Sequence, residues 1–196
     1  MTENAPSSIG GPSASGAPAI WATVSLALSV AGTFGSLYLS LGLGLKACPL
    51  CFYQRTFIMA VAAVLAIGLC ADRTRPALFC LLALPSALAG LGVAAFHEYL
   101  VVAEILECPK ALLGLGTAPA QSLTIFAALV IALLLGAWSA NRKGAFGLAI
   151  VLGGLMAWGS IASSPPMPPV PKTPYDPVTQ PLEMCRPVFR EAARPQ

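Results

Sequence analysis

The sequence predicts an all-α fold: an integral membrane helical bundle of five transmembrane helices. Three observations carry that expectation. Of the 196 residues 57% are apolar and only 10% charged, far from the balance of an ordinary soluble domain. The apolar residues gather into five runs near the roughly 20 residues that a helix needs to cross a hydrocarbon core of about 30 Å. The charges fall in the short segments between those runs instead of forming a basic face, and a formal charge of +3 gives no footprint for nucleic acid.

Residues 1–19 are rich in Ser, Gly, Pro and Ala, with Glu3 the only charged side chain, and read as a disordered tail. The tail lacks the basic start of a secretory signal, and the apolar run after it is too long for a signal core, so Ile20–Leu45 is expected to stay as a membrane helix. Leu50–Ala71, Ala77–Phe96 and Ser122–Ala140 follow. Ala145–Ala162 is shorter and carries Gly147, Gly153, Gly154 and Gly159. Small residues recur along several runs, which suits close helix packing in lipid.

Arg73 and Arg75 in one short loop, and Arg142 and Lys143 in another, set the orientation by the positive-inside rule. The N-terminus is then inside and the C-terminus outside. The outer face collects the turn after the first helix, the Phe96–Gln121 loop and the tail from Ser163. In the loop, apolar residues mixed with Glu98, Glu104 and Glu107 predict a short helix lying along the interface. The tail is proline-dense from Pro165 and predicts extended, polyproline-like chain carrying Cys185.

Six cysteines sort by side. Cys48, Cys51, Cys108 and Cys185 face the outer, oxidising compartment. Cys70 lies roughly 28 Å from Cys51 at 1.5 Å per residue, near the inner surface, and Cys80 is also on that side. These two read as small buried apolar residues. Cys48–Pro49–Leu50–Cys51 opens the second helix, where the helix dipole and free amides favour thiolate. Arg55 stands one turn deeper on the same face, costly in lipid unless it is paired or reaches outward. Its alternatives are a thiolate partner and carrier-headgroup ligand, or a lipid-headgroup anchor.

For the vicinal pair the competing readings are redox activity, a structural disulfide and half a metal site. A structural zinc site needs four ligands, and neither a second close pair nor a second histidine beside His97 exists. Phe52 after Cys51 rules out the haem-attachment pattern. A bridge across so short a loop adds little stability. Redox activity is the expected role, with no metal. Gly42–Leu43–Gly44–Leu45–Lys46–Ala47 fits a dinucleotide fingerprint by letter only, since it ends a membrane helix.

Cys48–Pro49–Leu50–Cys51–Phe52–Tyr53–Gln54–Arg55, at the junction of the first two helices, resembles the signature of the DsbB family of quinone-dependent disulfide-forming membrane proteins. The resemblance covers roughly Ile20 to Ala140 and implies that these residues form the family's four-helix core, with the fifth helix outside it. The related vitamin K epoxide reductase-like proteins carry their vicinal pair after the loop cysteines, the reverse of the order here. The resemblance implies a multi-pass protein of the bacterial inner membrane, with its redox cysteines on the periplasmic side. It implies a relay in which a second outer cysteine pair takes electrons from a soluble DsbA-like oxidase and the vicinal pair passes them to ubiquinone or menaquinone. A partner as oxidising as about −120 mV needs a stronger acceptor to regenerate it.

Carried over by motif, Cys51 stands next to the quinone, Cys48 is its exchange partner, and Arg55 belongs to the quinone site. The family's best-known members hold the second pair in one loop. Here that loop has only Cys108, so a Cys108–Cys185 disulfide is expected to tie tail to loop; the competing reading leaves Cys185 unpaired or intermolecular. His97 is either an interfacial polar residue or a proton and hydrogen-bond source for the reduced quinone, a role Glu98 could also take. The expected organisation is a cytoplasmic tail over 1–19, a redox core over 20–140, a fifth helix over 141–163 and a periplasmic tail over 164–196. A helical scaffold or chaperone with purely structural disulfides is the alternative from another class. An oxidase dedicated to one client is a third.

Overall fold

Apolar segments with no competing strand pattern satisfy their backbone internally only as helices, and the computed structural model consists of five of them. It describes residues 16–190 except 115 and 141. The helices are α1 (Gly16–Leu41), α2 (Pro49–Ala71), α3 (Pro76–Val102), α4 (Ala118–Ala137) and α5 (Lys143–Ala162). All five are long and apolar enough to cross a membrane. The expectation of disorder for residues 1–15 lies outside the described residues, as does the end of the tail. Residues 16–19 are helical, so the first helix starts earlier than expected.

Helix α3 is the centre. It packs against α2, α4 and α5, while α1 lies across α2 and α4. The fifth helix therefore sits outside the four-helix arrangement, mainly on α3. Close approach depends on small residues, as expected where lipid offers no hydrophobic drive between helices. A methyl group on Gly90 would lie 2.0 Å from the Phe126 ring, one on Gly136 would lie 2.6 Å from Cys80 Sγ, and one on Gly153 would lie 2.7 Å from Leu88 Cβ. The Gly-rich pattern of α5 is thus partly a contact surface.

Three boundaries differ from the sequence expectation, and each shapes the end of the bundle that carries Cys48, Cys51, Cys108 and Cys185, termed the outer end after the orientation expected from the loop charges. Helix α1 stops at Leu41 because the chain turns back on Tyr38 O and Gly44 takes a φ of +69°. Helix α4 starts earlier than expected, with Thr117 as N-cap accepting from the Ala120 amide and proline in the first turn. Helix α3 runs on through His97–Glu98–Tyr99 to Val102 and ends as Glu104 turns left-handed, at φ +54°. The interfacial helix expected in the loop does not form. Its first part extends α3, and the remainder is a strand, a turn and a single 3-10 turn at Leu112–Gly114.

The tail returns to the outer end. After α5 it has no helix or strand until β2 (Arg186–Pro187), which pairs antiparallel with β1 (Leu106–Glu107) of the loop. Arg186 clamps the pairing: it donates to the Glu107 carboxylate and the Gln180 carbonyl, and its guanidinium lies 3.6 Å from the Tyr175 ring centre. Farther back, the Lys46 amide donates to Glu183 O at 2.9 Å and its ammonium pairs with the Glu183 carboxylate. Of the two inner cysteines, Cys80 is fully buried as expected, but Cys70 is exposed on the outside of the bundle.

Candidate functional site

Proline in the first turn of α2 and the two-residue cysteine spacing fold the vicinal pair into a helix cap. Cys48 is the N-cap, and its sulfur accepts from the Cys51 amide at 3.2 Å. The two sulfurs stand 2.7 Å apart as free thiols, inside van der Waals contact and close to bonding distance. The Cys48 thiol is held below the ordinary thiol range, chiefly by the hydrogen bond from Cys51. Burial opposes that shift, and His97 adds to it.

The second pair is oxidised: Cys108 and Cys185 form a disulfide with a sequence separation of 77. The tail therefore supplies the cysteine that the loop lacks. β1–β2 pairing and the Arg186 clamp hold the two cysteines side by side, with Cys185 directly preceding β2 and Cys108 directly following β1.

Between the pairs stands His97, fully buried near the outer end of α3. Its Nε2 lies 3.8 Å from Cys48 Sγ, 3.5 Å from Cys108 Sγ and 3.4 Å from Cys185 Sγ. The reading of His97 as an interfacial polar residue is corrected, because the continuation of α3 and the docked tail cover it. On the other side of the ring Nδ1 is 3.3 Å from Gln54 Nε2, and the Ser122 hydroxyl donates to Gln54 Oε1 at 2.7 Å. With the amide in that orientation Gln54 donates to Nδ1, so Nε2 carries the proton and points it at the sulfurs. Glu98, the other candidate proton source, instead accepts from the Thr117 hydroxyl.

On the inner side of Cys51 is a cavity of about 290 Å³ between α1, α2 and α4. Its walls are mostly apolar, with Cys51, Gln54, Arg55, Gln121 and Ser122 among the lining residues; His97 is not one of them. Arg55 Nε donates to Ser36 Oγ at 2.9 Å, and one terminal nitrogen donates to Ser36 O at 2.9 Å and Ser40 Oγ at 2.6 Å. Two serines one turn apart on α1 thus keep the guanidinium inside the bundle instead of at the lipid surface. Its other terminal nitrogen, Nη1, has no partner among the described residues.

The sequence reading missed Gln54, Ser122, Ser36 and Ser40. Three of them had a signal in the chain. Gln54 is a buried polar residue inside the cysteine motif, and Ser36 and Ser40 repeat at helical spacing in an otherwise apolar run.

A family model described as disulfide bond formation protein DsbB matches residues 18–124, more than half of the chain. The chain belongs to the DsbB family. The match takes in Cys48, Cys51, Arg55, His97 and Cys108, and ends before α5 and Cys185. No curated protein and no solved structure matches the chain. As a DsbB-family member it is a multi-pass membrane protein of disulfide bond formation, and a disulfide oxidoreductase by class. The part of its second cysteine pair that comes from the tail lies outside the matched region.

Proposed function

We propose that this DsbB-family protein reoxidises a DsbA-like periplasmic dithiol protein and passes the electrons to a membrane quinone. The single observation that carries the reading is spatial: His97 stands between an oxidised outer pair and a reduced vicinal pair, and Cys51 lines a cavity that holds an arginine. The same arrangement favours an order of steps.

A partner thiolate opens Cys108–Cys185; two electrons and two protons pass to the chain and the partner leaves as a disulfide. When Cys48–Cys51 is oxidised, Cys185 thiolate attacks Cys48 Sγ, the Cys48–Cys185 bond forms and Cys51 leaves as thiolate toward the cavity. Cys108 then attacks Cys185, which remakes Cys108–Cys185 and releases Cys48. Cys185 Sγ lies within 4.8 Å of both vicinal sulfurs, close enough for that exchange after side-chain rotation. His97 Nε2–H is positioned to donate a hydrogen bond to Cys48 Sγ and stabilise that sulfur as it leaves, in the tautomer that Gln54 and Ser122 select.

The cavity suits a quinone head. A dry cavity of about 150 Å³ accepts a benzene ring, and this one is about 290 Å³ with apolar walls. A bound quinone supplies a two-electron, two-proton acceptor. Cys51 borders its space, and Arg55, with Nη1 free, and Gln121 are the groups that would hold its oxygens. The basic loops at the opposite end of the bundle favour a periplasmic location for the cysteines in a bacterial inner membrane.

The test is coupled turnover in detergent or liposomes. A reduced thioredoxin-like dithiol protein should lose thiols in step with loss of quinone absorbance, and Cys51→Ser should abolish both. Turnover that survives Cys51→Ser would leave the cysteines as braces of a membrane scaffold.

A further inference from the structure

We infer that the fully reduced chain binds one soft divalent metal ion, of the Zn²⁺ or Cd²⁺ kind, on Cys48, Cys51, Cys185 and His97. The sequence excluded a metal site because it offered one close cysteine pair and one histidine. Folding changes that count: docking of the tail brings a third sulfur to the pair, and α3 brings the imidazole. The four donor atoms all lie within 4.8 Å of one another. Three thiolates and one histidine are a common closed set for tetrahedral zinc.

The geometry needs small adjustments. With metal–sulfur bonds of about 2.3 Å, tetrahedral sulfurs sit about 3.8 Å apart. His97 Nε2 is already 3.4 Å from Cys185 Sγ and 3.8 Å from Cys48 Sγ, and the vicinal sulfurs must open from 2.7 Å. Rotation of Cys51 about its Cα–Cβ bond can supply that opening. The support behind the imidazole is also present. A metal-bound histidine donates its second ring N–H to an oxygen. A half turn of the Gln54 carboxamide puts Oε1 against Nδ1 and lets Ser122 accept from the amide nitrogen. An apolar groove that touches Cys48 and Cys185, lined by Pro165–Pro168 and Met184, gives a way in from the outer end.

The site is gated by redox state. With Cys108–Cys185 closed, the Cys185 sulfur is occupied and the set is incomplete. A dithiol reductant opens that bond, giving two thiols on the chain and its own disulfide. The metal then displaces three thiol protons and takes the neutral imidazole. It would form when both pairs are reduced, the state reached when the electron acceptor is scarce, and would hold the tail on the vicinal pair and stall exchange. The stall rests on the proposed relay, whereas the binding does not.

Cadmium is the probe, added to full-length protein in detergent without quinone. Reduced protein should take up one Cd²⁺ per chain with sulfur-to-cadmium ultraviolet absorption. Protein with Cys108–Cys185 intact and the vicinal pair reduced should bind at least about tenfold more weakly. Cys185→Ser and His97→Gln should each cost tenfold or more, and Gln54→Leu about 10- to 100-fold. Cys108→Ser removes the same disulfide but keeps Cys185, and should bind as tightly as the parent, which separates loss of a ligand from loss of the bridge. Equal affinity in the parent and Cys185→Ser, or no stoichiometric uptake, would overturn the site. Because no acceptor is present, a failed turnover test with Cys51→Ser would leave this result untouched.

Discussion

Replacing Arg186 by alanine should free the tail only when the Cys108–Cys185 disulfide is reduced. The side chain is about four-fifths covered and makes three contacts: the Glu107 carboxylate, the Gln180 carbonyl at 2.8 Å and the face of Tyr175 at 3.6 Å. A partly exposed ion pair contributes up to about 1 kcal/mol, a hydrogen bond to a carbonyl about 1 kcal/mol and the ring contact about 0.5–1 kcal/mol. The sum is about 2–3 kcal/mol, or roughly a 30- to 150-fold shift in the docking equilibrium. The disulfide opposes that loss. For its sequence separation of 77, the chain-entropy relation gives up to about 4.5 kcal/mol. Lipid-anchored helices already restrict the loop, so this is an upper value.

The assay is hydrogen exchange at two amides that report docking directly. Lys46 N–H donates to Glu183 O and Val188 N–H donates to Ile105 O. Oxidised Arg186→Ala protein should protect both as the parent does. After reduction, the variant should lose roughly 30- to 150-fold of the protection that the reduced parent keeps, following the same arithmetic. Equal protection in reduced variant and reduced parent would refute the clamp and leave the disulfide as the sole fastener.

Arg55→Met keeps the bulk of the side chain and removes the one charged side chain among the described residues that line the cavity, so kcat/KM for quinone should fall about 10- to 100-fold, the worth of a charge-assisted hydrogen bond; steady-state kinetics with saturating dithiol checks it. Gly90→Ala should lower the unfolding temperature in detergent although alanine is the better helix former by about 1 kcal/mol, because its methyl would meet Phe126 at 2.0 Å. Overpacking of this kind costs about 1–3 kcal/mol, and Phe126→Leu in the same chain should recover much of it. In a Cys51→Ser, Cys108→Ser double variant, oxidation should trap a Cys48–Cys185 bond, readable by non-reducing peptide mapping. Its absence would refute the proposed order of exchange.

The sequence by itself determined the class of the molecule and half of its centre. Twenty-residue apolar runs in lipid admit one backbone solution, so five helices followed from length and hydropathy alone. Cys48, Cys51 and Arg55 are within one stretch, and local geometry fixes them: a helix start places the cysteines at the cap and the arginine one turn below. The resemblance to the DsbB family implied a second outer pair; with Cys108 alone in the loop, Cys185 became its expected partner, and the two are bonded.

Tertiary structure decided what stands between these parts. How far α3 continues depends on the tail and loop that cover its end, which sequence periodicity does not report, and this continuation buries His97. Exposure of Cys70 likewise follows from which side of α2 has neighbours. Gln54 touches His97 and Ser122, residues 43 and 68 positions away, and Arg55 finds Ser36 and Ser40 on another helix. Such contacts arise from the crossing of packed helices, and the local pattern carries no record of them. The vicinal pair is therefore legible as a motif, whereas its place beside a cavity and across a histidine from the second pair exists only in the folded chain.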